Sequence, residues 1–257
     1  HSWSEAEATI ESYADAIFGS NAAVGDVDGD GLGDFMVTEQ RPDTFGGMEG
    51  NSFVYLSTPS GAVTTADADV RTQTLFNLAA LDDALLQLEP AFSIAGGGDV
   101  DGDGLDDVWV GWPGLVANVE GTGSQWEVGG VYLFTRLTGQ DEQYRTSFDL
   151  EILGSSEGMH VGQSLGVGDV DQDGTPDLLV GHRDGADLIL GDPGTGAGLI
   201  DHLAIAHFRG QPGASPLGYQ VAMGDTDGDG FDDMALAVRP ATSEDFGNAW
   251  LFFGGGG

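Results

Sequence analysis

Four short stretches of this sequence concentrate carboxylates at one fixed spacing. Asp26, Asp28, Asp30 and Asp34 form the first set, followed by Asp99, Asp101, Asp103 and Asp107, then Asp169, Asp171, Asp173 and Asp177, then Asp225, Asp227, Asp229 and Asp233. Each set occupies positions 1, 3, 5 and 9 of a loop whose position 6 is glycine: Gly31, Gly104, Gly174 and Gly230. Calcium is a hard cation that takes six to eight oxygen ligands, and alternate aspartates in a tight loop can turn their oxygens onto one point. Glycine at position 6 permits the sharp turn this requires. Position 7 need offer only its backbone carbonyl, so its side chain is free to vary, and it reads Leu32, Leu105, Thr175 and Phe231. Without a cation, four carboxylates so close would repel one another, more strongly as water is excluded. Magnesium fits less well, because it gives up its waters reluctantly and demands stricter geometry. The expectation is four Ca2+ sites.

An EF-hand is the obvious competitor, but it needs Glu at position 12 and flanking helices. Position 12 is Val37, Val110, Val180 and Leu236, and the flanks read as strands. Short apolar runs follow each loop: Phe35–Val37, Val108–Val110, Leu178–Val180 and Met234–Leu236. A second run comes later in each unit, at Phe53–Leu56, Val131–Phe134, Leu188–Leu190 and Trp250–Phe253. More polar strand candidates precede the next loop at Arg71–Phe76, Thr146–Ile152 and Leu203–Phe208, and a short segment such as Phe18–Val24 or Gly162–Val167 leads into it. Runs of this length and composition are strand signals. The first aspartates of successive loops are 73, 70 and 56 residues apart. Each repeat therefore predicts about four strands, the content of one propeller blade.

The loops and their surroundings resemble the FG-GAP repeat of integrin α-subunit β-propellers and their bacterial relatives. Phe18-Gly19 matches the FG element, with Val161-Gly162 and Leu217-Gly218 as weaker versions and Ala91-Phe92 departing from it. Gly111-Trp112-Pro113 resembles the GAP element and Gly181-His182-Arg183 keeps its glycine, while Thr38-Glu39-Gln40 and Ala237-Val238-Arg239 lose it. The resemblance implies calcium ligation by the side chains of loop positions 1, 3, 5 and 9 and the carbonyl of position 7. It also implies that each loop joins the innermost strand of a blade to the second. Integrin propellers have seven blades, whereas this chain has four loops with no room for a hidden blade between them. The expected fold is an all-β propeller of four-stranded antiparallel blades spanning residues 1–253. Its ring would be closed by the N-terminal segment Glu5–Glu11 supplying the outer strand missing from the last blade, and residues 254–257 would form a flexible glycine tail or linker. The rival is an open fragment of a larger propeller, completed by another chain or by lost sequence.

Composition narrows the function classes. The 43 acidic residues face 7 basic ones, all arginine, for a formal charge of −36. Such a surface repels nucleic acid and anionic membranes, and no apolar run reaches the 18 residues of a membrane-spanning helix. The absence of cysteine excludes disulfides and zinc–thiolate sites. No Gly-x-Ser-x-Gly, P-loop or His-Glu-x-x-His motif occurs, so no enzyme is expected. His202 and His207 are expected in one strand, on opposite sides of it, as poor joint metal ligands. The resemblance places the longer loops on the face opposite the calcium loops, where related propellers bind ligands. Trp112 and Trp126 are candidates there to stack on a glycan or anchor a protein partner. The expected role is an extracellular or cell-surface calcium-stabilised module for adhesion, recognition or assembly with other chains or domains. A purely structural repeat of a larger surface protein or filament is the alternative. A hydrolase ranks last, because saturated loops leave no open metal position.

Overall fold

The computed structural model describes residues 8–11, 17–42, 48–56, 61–64, 66, 68, 70–74, 93–119, 123–136, 143–144, 148–210, 217–238 and 247–255. A strand β1 (Ala8–Glu11) precedes the first repeat, which holds β2 (Ile17–Gly25), β3 (Asp34–Pro42), β4 (Met48–Tyr55), β5 (Gly61–Thr64) and β6 (Val70–Thr74). The second repeat has β7 (Ser93–Gly96), β8 (Val108–Trp112), the hairpin β9 (Ala117–Val119) and β10 (Gly123–Gln125), then β11 (Gly130–Phe134), β12 (Gln143–Tyr144) and β13 (Leu150–Leu153). The third has β14 (Ser164–Gly168), β15 (Asp177–His182), β16 (Gly185–Ile189), β17 (Gly196–Leu199), the four-residue helix α1 (Ile200–Leu203) and β18 (Ala206–Arg209). The fourth has β19 (Leu217–Gly224), β20 (Asp233–Val238) and β21 (Ala249–Phe252). The architecture is all-β in several separate sheets, with almost no helix.

Each repeat builds one antiparallel meander. The orders are β2-β3-β4-β6, β7-β8-β11-β13, β14-β15-β16-β18 and the three-stranded β19-β20-β21. Every carboxylate loop joins the first strand of its sheet to the second. The register puts Gly25 opposite Asp34, Gly168 opposite Asp177 and Gly224 opposite Asp233, so position 9 closes each of these hairpins.

The sheets stack in chain order, with β2 packed on β7, β7 on β14 and β14 on β19. Apolar cores lie between successive sheets. Met36 and Val54 meet Val108, Val110 and Trp112 between the first two. Trp109, Val131 and Ile152 meet Leu178, Val180 and Ile189 between the second and third, and Leu179 and Leu188 meet Leu217, Met234 and Leu236 between the third and fourth. The second and third sheets are covered on both faces, which is why β8 and β15 are buried along their whole length and carry the apolar runs Val108–Val110 and Leu178–Val180.

The glycines of the degenerate FG and GAP elements lie at these junctions. Ser93 Oγ donates to Gly162 O at 2.7 Å, and Ser164 Oγ donates to Gly218 O at 2.9 Å. Gly162 and Gly218 hold φ of 85° and 86°, in the left-handed region that favours glycine. Gly111 and Gly181 lie directly against them: a Cβ on Gly111 would fall 2.3 Å from Gly162 O, and one on Gly181 would fall 2.3 Å from Gly218 O. The backbone of one sheet thus touches the backbone of the next, and any side chain would push them apart.

Ring closure by the N-terminal strand is not what the structure shows. β1 pairs in parallel with β5 of the first repeat, and among the described residues β21 pairs with β20 alone. Among the described residues, β19 and β2 make no packing comparable to that of the other neighbours. The inter-sheet cores lie on the faces of consecutive repeats, and none joins the fourth repeat to the first. The expected glycine tail also differs: Gly254 N–H donates to Asp233 Oδ1 at 3.0 Å and Gly255 N–H to Val170 O at 2.8 Å. Both are held between the third and fourth loops, while Gly256 and Gly257 lie outside the described residues.

Gly181→Ala is expected to cost about 2–3 kcal/mol by overpacking against backbone. Ser164→Ala, which strips only the hydroxyl from Gly218 O, should cost about 1–2 kcal/mol. Urea denaturation of the two variants checks both the sizes and their order.

Candidate metal centres

The loops share one hydrogen-bonded scaffold. The position 1 carboxylate caps the turn by accepting from the backbone of the position 6 glycine: Gly31 N to Asp26 at 2.9 Å, Gly104 N to Asp99 at 2.8 Å, Gly174 N to Asp169 at 3.0 Å and Gly230 N to Asp225 at 3.1 Å. Position 3 accepts from the N–H of position 5, as Asp103 N donates to Asp101 at 3.1 Å and Asp173 N to Asp171 at 3.1 Å. Position 5 accepts from the N–H of position 7, as Leu32 N donates to Asp30 at 2.8 Å and Thr175 N to Asp173 at 2.7 Å. These are Asx turns, the local bonds that make aspartate a turn residue. Position 9 reaches back across the loop to the N–H of position 2, from Val27 to Asp34 at 2.9 Å, Val100 to Asp107 at 2.6 Å and Val170 to Asp177 at 2.8 Å.

In three loops the carboxylates of positions 1, 3 and 9 converge. Ligand-capable atoms of Asp26, Asp28 and Asp34 lie within 4.8 Å of one another, as do those of Asp99, Asp101 and Asp107, and those of Asp169, Asp171 and Asp177. Each trio runs from an exposed position 3 to a buried position 9. Position 5 stands outside these trios, and Asp103 pairs instead with Arg136 Nε at 3.5 Å. At position 7, Leu32 is exposed and Leu105, Thr175 and Phe231 are half-buried.

The fourth loop is built differently. Its converging trio is Asp225, Asp227 and Asp229, all exposed. Asp233 is turned to other work, because position 2 is Thr226 rather than valine. Both the N–H and the hydroxyl of Thr226 donate to Asp233 Oδ2, while Gly254 N–H takes Oδ1. The Thr226 hydroxyl holds Asp233 below the usual carboxylate range.

The other position 9 groups shift the opposite way. Burial pushes Asp107 up to about 7 and Asp177 up to about 6, against the pull of their backbone donors and with the neighbouring aspartates adding to the rise. Asp34 is raised by burial in the same manner. Within the loops two buried carboxylate oxygens, Asp107 Oδ1 and Asp169 Oδ1, meet no hydrogen-bond donor, as Asp187 Oδ2 outside the loops also meets none. In the other three loops the position 4 glycine supplies an N–H to Oδ1 of position 1, but in the third loop position 4 is Gln172 and Asp169 Oδ1 accepts no such bond. An all-oxygen donor set, buried orphan oxygens and carboxyls that resist ionising together fit a hard divalent cation.

Two residues that the spacing did not single out tie loops together. Asp26 N–H donates to Asp106 Oδ2 at 2.7 Å, and Asp106 N–H returns a bond to Asp26 O at 2.8 Å. Asp232 and Asp169 repeat that exchange at 2.8 and 2.9 Å. Position 8 is the clamp in both pairs. In the third loop it is Pro176, which lies against Gly98 instead. The consecutive aspartates at 106–107 and 232–233 are the visible signal, but only the stacking of sheets supplies their partners.

A second polar cluster lies outside the loops. Asp187 on β16 is fully buried and bonded to Arg209 Nη1, with His207 Nδ1 at 3.0 Å and His182 Nε2 at 3.5 Å. Burial alone would raise this carboxyl; hydrogen bonds from His182, Arg209 and His207 outweigh it and hold Asp187 well below the usual range. The cluster stitches β15, β16 and β18 together through an ion pair whose carboxylate is buried and whose guanidinium reaches solvent. His202 falls in α1 and His207 in β18, not in one strand as expected. Trp112 is 1% exposed and part of a core, so it offers no stacking platform, while Trp126 is half-buried in a turn.

No family model matches the chain. It is 32% identical over 168 residues to integrin alpha-4 of Xenopus laevis, a stretch covering 64% of this chain and 14% of that protein. It is 29% identical over 242 residues to integrin alpha-5 of Xenopus laevis, covering 88% of this chain and 20% of that protein. The chain is thus distantly similar to integrin alpha chains and spans a fifth or less of their length.

The raised carboxyls fix a pH dependence for the metal-free protein. The folded state holds protons on Asp107 and Asp177 that the unfolded chain releases near pH 4. Their contribution to stability is therefore fully present below that point and is lost as pH rises toward about 7. Chemical denaturation in chelator between pH 4 and 8 should show this decline; a rise over the same interval would contradict it. Asp187→Ala should cost about 3 kcal/mol by leaving Arg209 and the histidines without their carboxylate, the low end of such losses because Arg209 is partly in water. A thermal melt reads the loss.

Proposed function

We propose that the chain is a calcium-stabilised β-propeller module of the FG-GAP type, acting outside the cell or at its surface in adhesion, recognition or assembly. The carrying observation is the convergence of three aspartates in every loop, with buried carboxylate oxygens left without donors in the second and third. Each meander is one blade, and residues 1–253 make one domain of four blades stacked as an open arc. Asp26, Asp28, Asp30 and Asp34 and their counterparts at 99–107, 169–177 and 225–233 would hold the ions, aided by the carbonyls of Leu32, Leu105, Thr175 and Phe231. The ions would supply positive charge that cancels the repulsion inside each loop; the role is structural, without catalysis. The distant similarity to integrin alpha chains supports the adhesion reading. The strong negative charge agrees with a calcium-rich surroundings and with partners other than nucleic acid.

Burial of Trp112 favours a second reading for the long loops, in which they serve packing and the chain is a structural repeat of a larger surface protein. Trp126 is then the residue through which a glycan or protein ligand would be felt. An unaltered chain that binds nothing in a glycan and protein array would support the structural reading, whereas binding that Trp126→Ala abolishes would contradict it.

Extracellular modules bind calcium with Kd of roughly 10⁻⁴–10⁻³ M. At ten times Kd each occupied site adds about 1.4 kcal/mol, provided the unfolded chain does not bind. Chelation is expected to lower Tm by about 10 °C or more, given about 2–4 °C per kcal/mol for a chain of this size. An unchanged melt in EGTA, after metal removal is verified, would rule calcium out as the stabiliser. Asp101→Asn, which keeps the oxygen that accepts Asp103 N–H but removes the charge, should abolish one site and a matching share of that shift.

A further inference from the structure

The position of β1 shows what the two ends of the stack are for. In the second repeat the outer strand β13 is met in parallel by β17, which reaches back from the third repeat, and β6 of the first repeat is met in the same way by β12 of the second. In each case the segment between the third and fourth strands of one repeat pairs with the outer strand of the repeat before it. β5 is that segment in the first repeat, and it pairs with β1. The registers coincide: Ala8, Thr9, Ile10 and Glu11 face Gly61, Ala62, Val63 and Thr64, as Leu150, Glu151, Ile152 and Leu153 face Gly196, Ala197, Gly198 and Leu199. Chain spacing agrees, since Glu11, Leu153 and Arg209 end their strands 15, 16 and 16 residues before the first aspartate of the following loop. β1 therefore takes the place of the outer strand of a preceding sheet, and among the described residues no other strand of such a sheet lies beside it.

The opposite end presents the complement. Its meander has three strands where the others have four, and among the described residues no strand pairs with the outer edge of β21. Trp250, Leu251 and Phe253 are 44%, 47% and 61% exposed, an arrangement that edge strands usually avoid. The outward face also differs in size. Two residues beyond position 9, Met36, Trp109 and Leu179 fill the inter-sheet cores, whereas the fourth repeat has Ala235 there, half-buried, and then Ala237. The first sheet's own outward face carries Phe35, Phe53 and Tyr55 against Ile10 and Val63. These contacts already bury Phe53 and Tyr55 within the chain and half-bury Phe35.

We propose that a second copy of this chain docks head to tail, its Ala8–Glu11 strand adding antiparallel to the free edge of β21 as the missing fourth strand. By the register of β11 with β13, Leu251 faces Ala8, Trp250 faces Thr9 and Ala249 faces Ile10 of the second copy. Such a contact is heterologous, so it propagates until the stack closes on itself. The carboxylate clamp of the first two loops has no counterpart at this junction, because position 8 of the first loop is Gly33. The contact then rests on strand addition and apolar packing alone, which makes it reversible. The proposal rests on reading each meander as one blade and does not depend on which cation the loops hold.

The chain has no cysteine, so paired cysteines report the contact without background. Thr9→Cys and Trp250→Cys are made as separate single variants and mixed under mild oxidation in calcium, since facing Cβ atoms in such a pair are about 5 Å apart. A cross-linked dimer that forms in the mixture, and more than tenfold less in either variant alone, is the expected result. A double variant that yields only an internally cross-linked monomer would overturn the proposal in favour of closure within one chain. No cross-link in any combination would also overturn it. Sedimentation velocity on the unaltered chain guards against misfolded variants: mass should rise with concentration between about 1 and 100 µM. A monomer throughout that range contradicts the proposal. A chelator-insensitive melt with intact cross-linking would sink the calcium reading alone, so the two failures are separable.

Discussion

Carboxylates that the backbone forces together set the terms for this structure. Two unit charges about 5 Å apart repel by roughly 3 kcal/mol at an effective dielectric of about 20, and each loop gathers three within 4.8 Å. The chain cannot relieve the strain by splaying them, because the same side chains accept the backbone bonds that shape the turn. Protonation is one outlet, and burial already drives Asp107 and Asp177 toward it. A divalent cation is the better one, since it satisfies the orphan oxygens without giving up the charge that attracts it. The loops also carry the stacking, because Asp106 and Asp232 fasten one loop to the next through the backbone of the very aspartates that would hold the ion.

Between the loops and the far side of the stack, close backbone approach replaces side-chain bulk. The pairs Gly111 with Gly162 and Gly181 with Gly218 let adjacent sheets touch, and a serine hydroxyl seals each contact. Away from these pinch points the sheets diverge and admit Trp109, Leu133, Met234 and similar groups. The third and fourth sheets are thus fixed at both ends, by the glycine pair Gly181–Gly218 and by the Asp169–Asp232 loop bonds.

Much of this was legible in the sequence. The loop spacing, the four repeats and the strand order within each follow from aspartates at alternate positions and from apolar runs at fixed distances. What was not legible depends on contacts between distant segments. The assignment of β1 to the last sheet rested on residue counting, but strand pairing answers to which faces meet, and β1 meets β5. Trp112 looked like a loop tryptophan beside glycine and proline, yet it ends β8 and is buried between two sheets. The Asp187–Arg209 pair needs the register of three strands, and Thr226 in place of valine gave no hint that it would engage Asp233. Position 5 shares the spacing of its neighbours in every loop, but it converges with positions 1 and 3 only in the fourth, among Asp225, Asp227 and Asp229.

The most direct test is the number of calcium ions bound per folded chain, counted by equilibrium dialysis against radioactive calcium. Four ions are expected, with the exposed trio of the fourth loop filling last. A chain that stays folded and holds none at millimolar calcium would show that the aspartates serve only to shape turns, and the reading of these loops as metal centres would fall.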